Sequence, residues 1–188
     1  VIAAGAALQY LSDTEHHQIK HINKISRIDE HDFVWMDKFT IRNLELIHAN
    51  NNSGLTLLDV MDNTVSPMGA RLLRRWVVFP LVNLLTINER LNTIEFLLNN
   101  AELQNQLQHF IKQCGDIERL VSKISNGKIS PREVVQVKKC LIAIADIKSS
   151  LNKIEQPLLQ TFADQLNECK LIQQSIENTI VDDAPVAT

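Results

Sequence analysis

The chain has 188 residues, 45% of them hydrophobic, and 19 Lys plus Arg against 22 Asp plus Glu give a net charge of −3. That length and apolar content suffice for one folded domain with a small appendage. The absent basic excess argues against a strong autonomous nucleic-acid binder, because phosphate neutralisation dominates such affinity, although a local basic stripe stays compatible with it.

In chain order, Ala3 to Leu11 is Ala/Leu-rich and predicts a leading helix. "IKHINKISRI" and "DFVWMD", separated by "DEHD", alternate apolar and polar residues and predict two short strands paired as a small β-hairpin. "KFTIRNLEL" begins a short helix, and "HANNNSG" at His48 to Gly54 marks a polar turn. Beyond Leu55 the signals are helical. Ser66 suits an N-cap with Pro67 at N1, where a missing N–H costs nothing. Thr86 and Glu89 form a capping box for a helix whose Ile87, Leu91, Ile94 and Leu98 share one face. After a break at Asn99–Asn100 come Leu103, Leu107, Phe110 and Ile111. Gly115 then stands as a C′ residue, and Ile117, Leu120, Val121 and Ile124 form the next stripe, closed by "SNG".

"SPRE" at Ser130 to Glu133 combines N-cap, N1 proline and capping box. Val134, Val137, Leu141, Ile144 and Leu151 follow a seven-residue pattern broken at Lys148, on a helix of roughly 30 Å. Pro157 opens a last helix with Phe162, Leu166, Cys169, Ile172 and Ile176 as its buried stripe. Antiparallel packing of these two helices hides both stripes. The expected fold is mainly α: a helical bundle with two long antiparallel helices and a small β-hairpin near the N-terminus.

Few residue patterns suggest chemistry. His17 and His21 are four apart in "HHQIKH", but the segment reads as a strand and no third ligand is near, so histidines at a hairpin edge are preferred to a metal site. Asp59 with Asp62, or Asp182 with Asp183, lack the positioned partners of an acid/base pair and are read as helix-end or solvated charges. No G-x-S-x-G, HExxH, GxGxxG or P-loop is present, so no catalysis is expected of this chain. Cys114, Cys140 and Cys169 are odd in number and far apart in sequence, which suits reduced thiols. No apolar run reaches the ~20 residues of a membrane span. "VIAAGAALQYL" lacks an export signal's basic start, and the chain is expected to be a segment of a longer one.

The block "TVSPMGARLLRRWVVFP" carries the functional question. On a helix from Pro67, Arg71, Arg74 and Arg75 fall at i, i+3 and i+4 and share a side. A phosphate-gripping helix needs that side exposed. Yet "LLDVMDN" supplies Asp59 and Asp62 as nearby partners, and "WVVFP" asks for deep burial. An internal joint is therefore the expected role, with Arg75→Ala destabilising the fold. Arg74 is the arginine left for solvent or a DNA backbone contact. The rival reading is a non-specific DNA-binding module using the Arg71, Arg74 and Arg75 face.

"MDKFTIRNLEL", "TLLDVMDNTVSPMGARLLRRWVVFPL", "INERLNTIEFLL" and "GDIERLVSKISNGKISPREV", in this order, closely resemble the MutS family of DNA mismatch repair proteins. The resemblance implies the first part of the core, or lever, domain: 1–14 as a leading helix at the connector junction, and 15–188 as core ending before the clamp. It implies structural or coupling roles for Asn43, Pro67, Gly69, Arg71, Arg75 and Trp76. The family's mismatch-reading Phe-x-Glu element and its Walker motifs are not in this sequence. ATP and Mg are thus expected of the full-length protein and no cofactor of this segment. Implied partners are the connector, clamp and ATPase domains of the same protein and, through the full-length homodimer, mismatched double-stranded DNA. A cytoplasmic location away from membranes is implied, and the stiff long helices would carry displacement between clamp and ATPase.

Overall fold

A computed structural model describes residues 2–14, 32–51 and 53–184. The leading helix α1 spans Ile2–Asp13, and none of its residues is buried. Asp37 caps α2 (Lys38–Asn43) by accepting from the Thr40 N–H. After a turn, the carbonyls of Glu45 and Leu46 receive the Leu57 and Leu58 N–H groups and dock the loop on α3 (Leu57–Met61). Here Thr56 and Asp59 form a reciprocal capping box.

The first predicted strand and the His17–His21 pair of "HHQIKH" lie outside the described residues. The second segment does not become a regular strand. Phe33 makes one isolated antiparallel bridge to Leu81, Val34 N–H donates to Pro80 O at 2.8 Å, and Val82 N–H to Asp32 O at 3.1 Å. "DFVWMD" thus pairs with the chain leaving α4 (Pro67–Val78), and Phe33 meets Phe79 edge-on at 6.0 Å. Apart from this bridge, the described residues are helices and their connections.

Helix α5 runs Leu84–Leu98, capped by Asn83, one turn ahead of the predicted Thr86 start. The Asn83 side chain accepts from both Leu85 and Thr86 N–H groups, so Thr86 is drawn into the first turn. Helices α6 (Ala101–Cys114) and α7 (Ile117–Ser125) meet at Gly115, whose φ of 62° is the left-handed conformation that favours glycine. Helix α8 (Pro131–Leu151) starts at the predicted capping box and is about 31 Å long. It is the hub. Val135, Val137, Cys140, Leu141, Ala143 and Leu151 are buried on several of its sides, against α6, α7, α9 and α10.

The predicted second long helix is two short ones, α9 (Pro157–Gln165) and α10 (Lys170–Thr179). Between them Leu166 turns extended, the Asn167 side chain accepts from the Cys169 N–H at 2.9 Å, and Cys169 adopts a left-handed φ of 51°. An asparagine side chain offers the backbone an alternative partner to the helical ladder, and that competition ends α9. Lys148 on α8 donates to the freed Leu166 carbonyl at 2.8 Å. The path still returns along α8 in reverse order: Leu151 packs with Leu159, Lys148 meets Leu166, Leu141 packs with Ile176, and Lys138 pairs with Asp182. Of the predicted stripe, Ile176 is buried whereas Phe162 and Ile172 are exposed.

Candidate functional site

Helix α4 begins as its sequence dictates. Ser66 Oγ accepts from the Gly69 N–H at 3.1 Å, with Pro67 at N1. A Cβ on Gly69 would stand 3.2 Å from Ser66 Oγ and 3.4 Å from Thr64 Cβ. The crowding is therefore with the helix's own cap rather than with another backbone. Asp62, offered by sequence proximity as an arginine partner, accepts instead from the Thr64 N–H and hydroxyl. Asp59 is likewise engaged with Thr56. Neither carboxylate meets an arginine.

Arg71 reaches across 45 and 47 residues to the start of α7. Its Nη1 and Nη2 form a bidentate pair with Asp116 at 2.9 and 2.8 Å, and its Nε and Nη2 contact Glu118 Oε2 at 3.2 and 2.5 Å. The guanidinium fork matches carboxylate geometry in a way that lysine cannot. Asp116 is also the N-cap of α7, accepting from the Arg119 N–H at 3.3 Å, so one carboxylate both starts α7 and holds α4. Arg71 donation pulls the Asp116 carboxyl below the usual carboxylate range, and the two acids raise the Arg71 guanidinium further.

The other predicted residues lie around this joint. Trp76 is 42% exposed, which corrects the expected deep burial of "WVVFP", and its ring carries the Arg90 guanidinium of α5 at 3.9 Å. Arg74 and Arg75 are exposed and make no ion pair among the described residues. Asn43 is exposed at the end of α2. Thus one arginine of the three is committed internally, and it is Arg71. Arg71→Ala is expected to lower the thermal midpoint clearly, leaving two acids side by side. Arg75→Ala should stay within roughly the ±0.5 kcal/mol of surface changes. Calorimetry of the pair checks the order.

Two further ion pairs brace the bundle. Lys123 in the last turn of α7 binds Glu133 in the first turn of α8, and the largely buried Lys138 pairs with the exposed Asp182 at 2.5 Å. The Lys123 hydrogen bond, helped by the Ser130 N–H, holds the Glu133 carboxyl down to about 2. A carboxyl lowered in the fold stabilises above its ordinary value, and that contribution fades as pH falls through the folded value. The denaturant midpoint should therefore drop between pH of about 4.5 and about 2, and Glu133→Gln should flatten part of that drop.

On α5 the stripe Leu91, Ile94 and Leu98 points to solvent, at 56%, 53% and 67% exposure, while Thr93 is buried with Phe96 and Leu97 beside it. Its helical spacing was legible in the sequence, but the side it faces was not. Large apolar side chains left exposed outnumber the buried apolar ones among the described residues. No group of three His, Cys, Asp or Glu able to hold a metal occurs among them. The N-terminal turns of α4 and α8 open on proline, capped by Ser66 and by the Ser130–Glu133 pair respectively. No described helix is long and apolar enough to cross a membrane.

The described residues thus form a helical domain braced by a long-range arginine joint, with apolar side chains of α4 and α5 exposed. The MutS domain III family model matches residues 39–188, and the chain belongs to that family. It is 47% identical over 186 residues to the DNA mismatch repair protein MutS of Christiangramia forsetii, covering 99% of this chain and 21% of that protein. The MutS of Flavobacterium johnsoniae is 48% identical over 187 residues, and that of Bacteroides fragilis 46% over 186, each with 22% of its length covered. The chain spans about a fifth of the length of the curated relatives it matches.

Proposed function

We propose that this chain is the structural and allosteric core, or lever, of a mismatch repair protein, joining mismatched-DNA binding by clamp and reader domains to an ATPase domain. The observation that carries this reading is Arg71, the family-block arginine whose donors are taken up by Asp116 and Glu118. A helix whose arginine is consumed inside the protein positions other elements. The exposed apolar stripes on α4 (Leu72, Trp76) and α5 supply surfaces for neighbouring domains, and α8 supplies a stiff strut. ATP and Mg would act in the other domains, and the full-length protein would work as a cytoplasmic homodimer.

The test uses the full-length protein. Stimulation of ATP hydrolysis by mismatched over fully paired DNA is measured for wild type and Arg71→Ala. Coupling should fall while DNA affinity and unstimulated hydrolysis persist, and unchanged stimulation would sink the proposal. A second reading, non-specific DNA binding, rests on Arg74 and Arg75 standing exposed on one side of α4. It requires that Arg74→Ala with Arg75→Ala weaken binding uniformly across DNA sequences and reduce its salt slope by about two.

A further inference from the structure

Two cysteines that are 26 residues apart in sequence meet in the core. Cys114 is the last residue of α6 and 4% exposed, and Cys140 lies in the middle of α8 and is 0% exposed. Each thiol is directed at the other residue's main chain: Cys114 Sγ donates to Cys140 O at 3.8 Å, and Cys140 Sγ donates to Cys114 O. The remaining neighbours in that cluster are apolar, Ala143 with Ile117, Ile144 and Ile147. Both are free thiols.

We propose that Cys114 and Cys140 form a redox modification site, converted to an internal disulfide by a low-molecular-weight disulfide. Cys114 is the entry point because it is the last residue of α6, just before the left-handed Gly115, and at 4% exposed it is the less deeply buried of the two thiols. The contact with Cys140 also pulls its thiol below the ordinary value and pushes that of Cys140 up, so Cys114 is the readier nucleophile. In the first step the Cys114 thiolate attacks one sulfur of the oxidant RSSR. An S–S bond to Cys114 forms, the RS–SR bond breaks, and one thiolate leaves. In the second, Cys140 gives up its proton and its sulfur attacks Cys114 sulfur, releasing the second RSH. The protein loses two electrons and two protons, and the oxidant is reduced to two thiols.

The product ties the end of α6 to the middle of α8. Cys114 lies two residues before Asp116, so the bridge would immobilise the turn that presents Asp116 to Arg71.

The experiment equilibrates the full-length protein in buffers of reduced and oxidised glutathione, quenches with an alkylating reagent, and maps peptides without reduction. A Cys114–Cys140 linked peptide should rise with the oxidised fraction, reverse with dithiothreitol, and vanish in Cys114→Ser. In Cys140→Ser the reaction should halt at a glutathione adduct on Cys114. Persistence of both thiols in reduced form at the most oxidising ratio would overturn the proposal, as would linkage to Cys169 instead. Cys114→Ala with Cys140→Ala, which keeps apolar residues at both positions, should show ATPase and DNA binding insensitive to glutathione disulfide at this site. Equal sensitivity would remove the site's consequence.

Discussion

Leu141→Ala is expected to lower the unfolding free energy by about 3 kcal/mol, inside the ~2–5 kcal/mol range for a buried leucine. Leu141 is 6% exposed and forms a buried cluster with Val137 and Ile176, flanked by Ile117, Leu120 and Ile144. These neighbours come from α7, α8 and α10, so the space left by the side chain is bounded by three elements and cannot close by one of them shifting. Against a total stability on the order of 5–15 kcal/mol, that loss is large. Urea unfolding followed by far-ultraviolet circular dichroism measures it. Ile142→Ala is the control: one residue along and 45% exposed, it should change the midpoint far less. Equal effects from the two would mean that α8 does not present the side described.

Gln156→Ala should cost about 2 kcal/mol, the sum of a lost helix cap and a lost buried hydrogen bond. Gln156 Oε1 accepts from the Leu159 N–H at 2.7 Å as the N-cap of α9, while its Nε2 donates to Thr93 Oγ1 of α5 at 2.7 Å. Thr93 Oγ1 in turn donates to Glu89 O at 2.8 Å. Gln156 and Thr93 are both buried, so no water replaces the missing partner freely. Gln156→Glu keeps the cap acceptor but loses the donor, and should be no milder. In a double-mutant cycle with Thr93→Val, a coupling of about 1 kcal/mol is expected, and zero coupling would show that the two side chains act independently.

The Arg71 joint shows how far the residues alone could be followed. The α4 start was readable from Ser66 and Pro67, because capping depends on a few consecutive residues. Its arginine's partners were not, since nearness in sequence favoured Asp59 and Asp62, both already engaged in local caps and turns. The usable signal, not drawn on in the sequence reading, was "GDIE": an Asp just before the Ile117 stripe and a Glu in its first turn form an anionic spot wherever that helix start lies. Only the packing of α4 against that turn brings Arg71 there.

The α9–α10 break and the outward α5 stripe have different causes. No glycine or proline marks residues 166–169, and the competing Asn167 side chain is a weak punctuator compared with either. For α5, periodicity reports that apolar residues share a side but carries no information on what that side meets.

By itself, then, the sequence determined the helical class, the capped starts of α4 and α8, the glycine turn before α7 and the membership implied by the arginine block. These depend on interactions spanning a few residues. Only the tertiary structure decided which arginine is held, which stripes face outward, and that Cys114 and Cys140 meet. Each of those depends on distances between residues far apart in the chain, which local spacing does not encode.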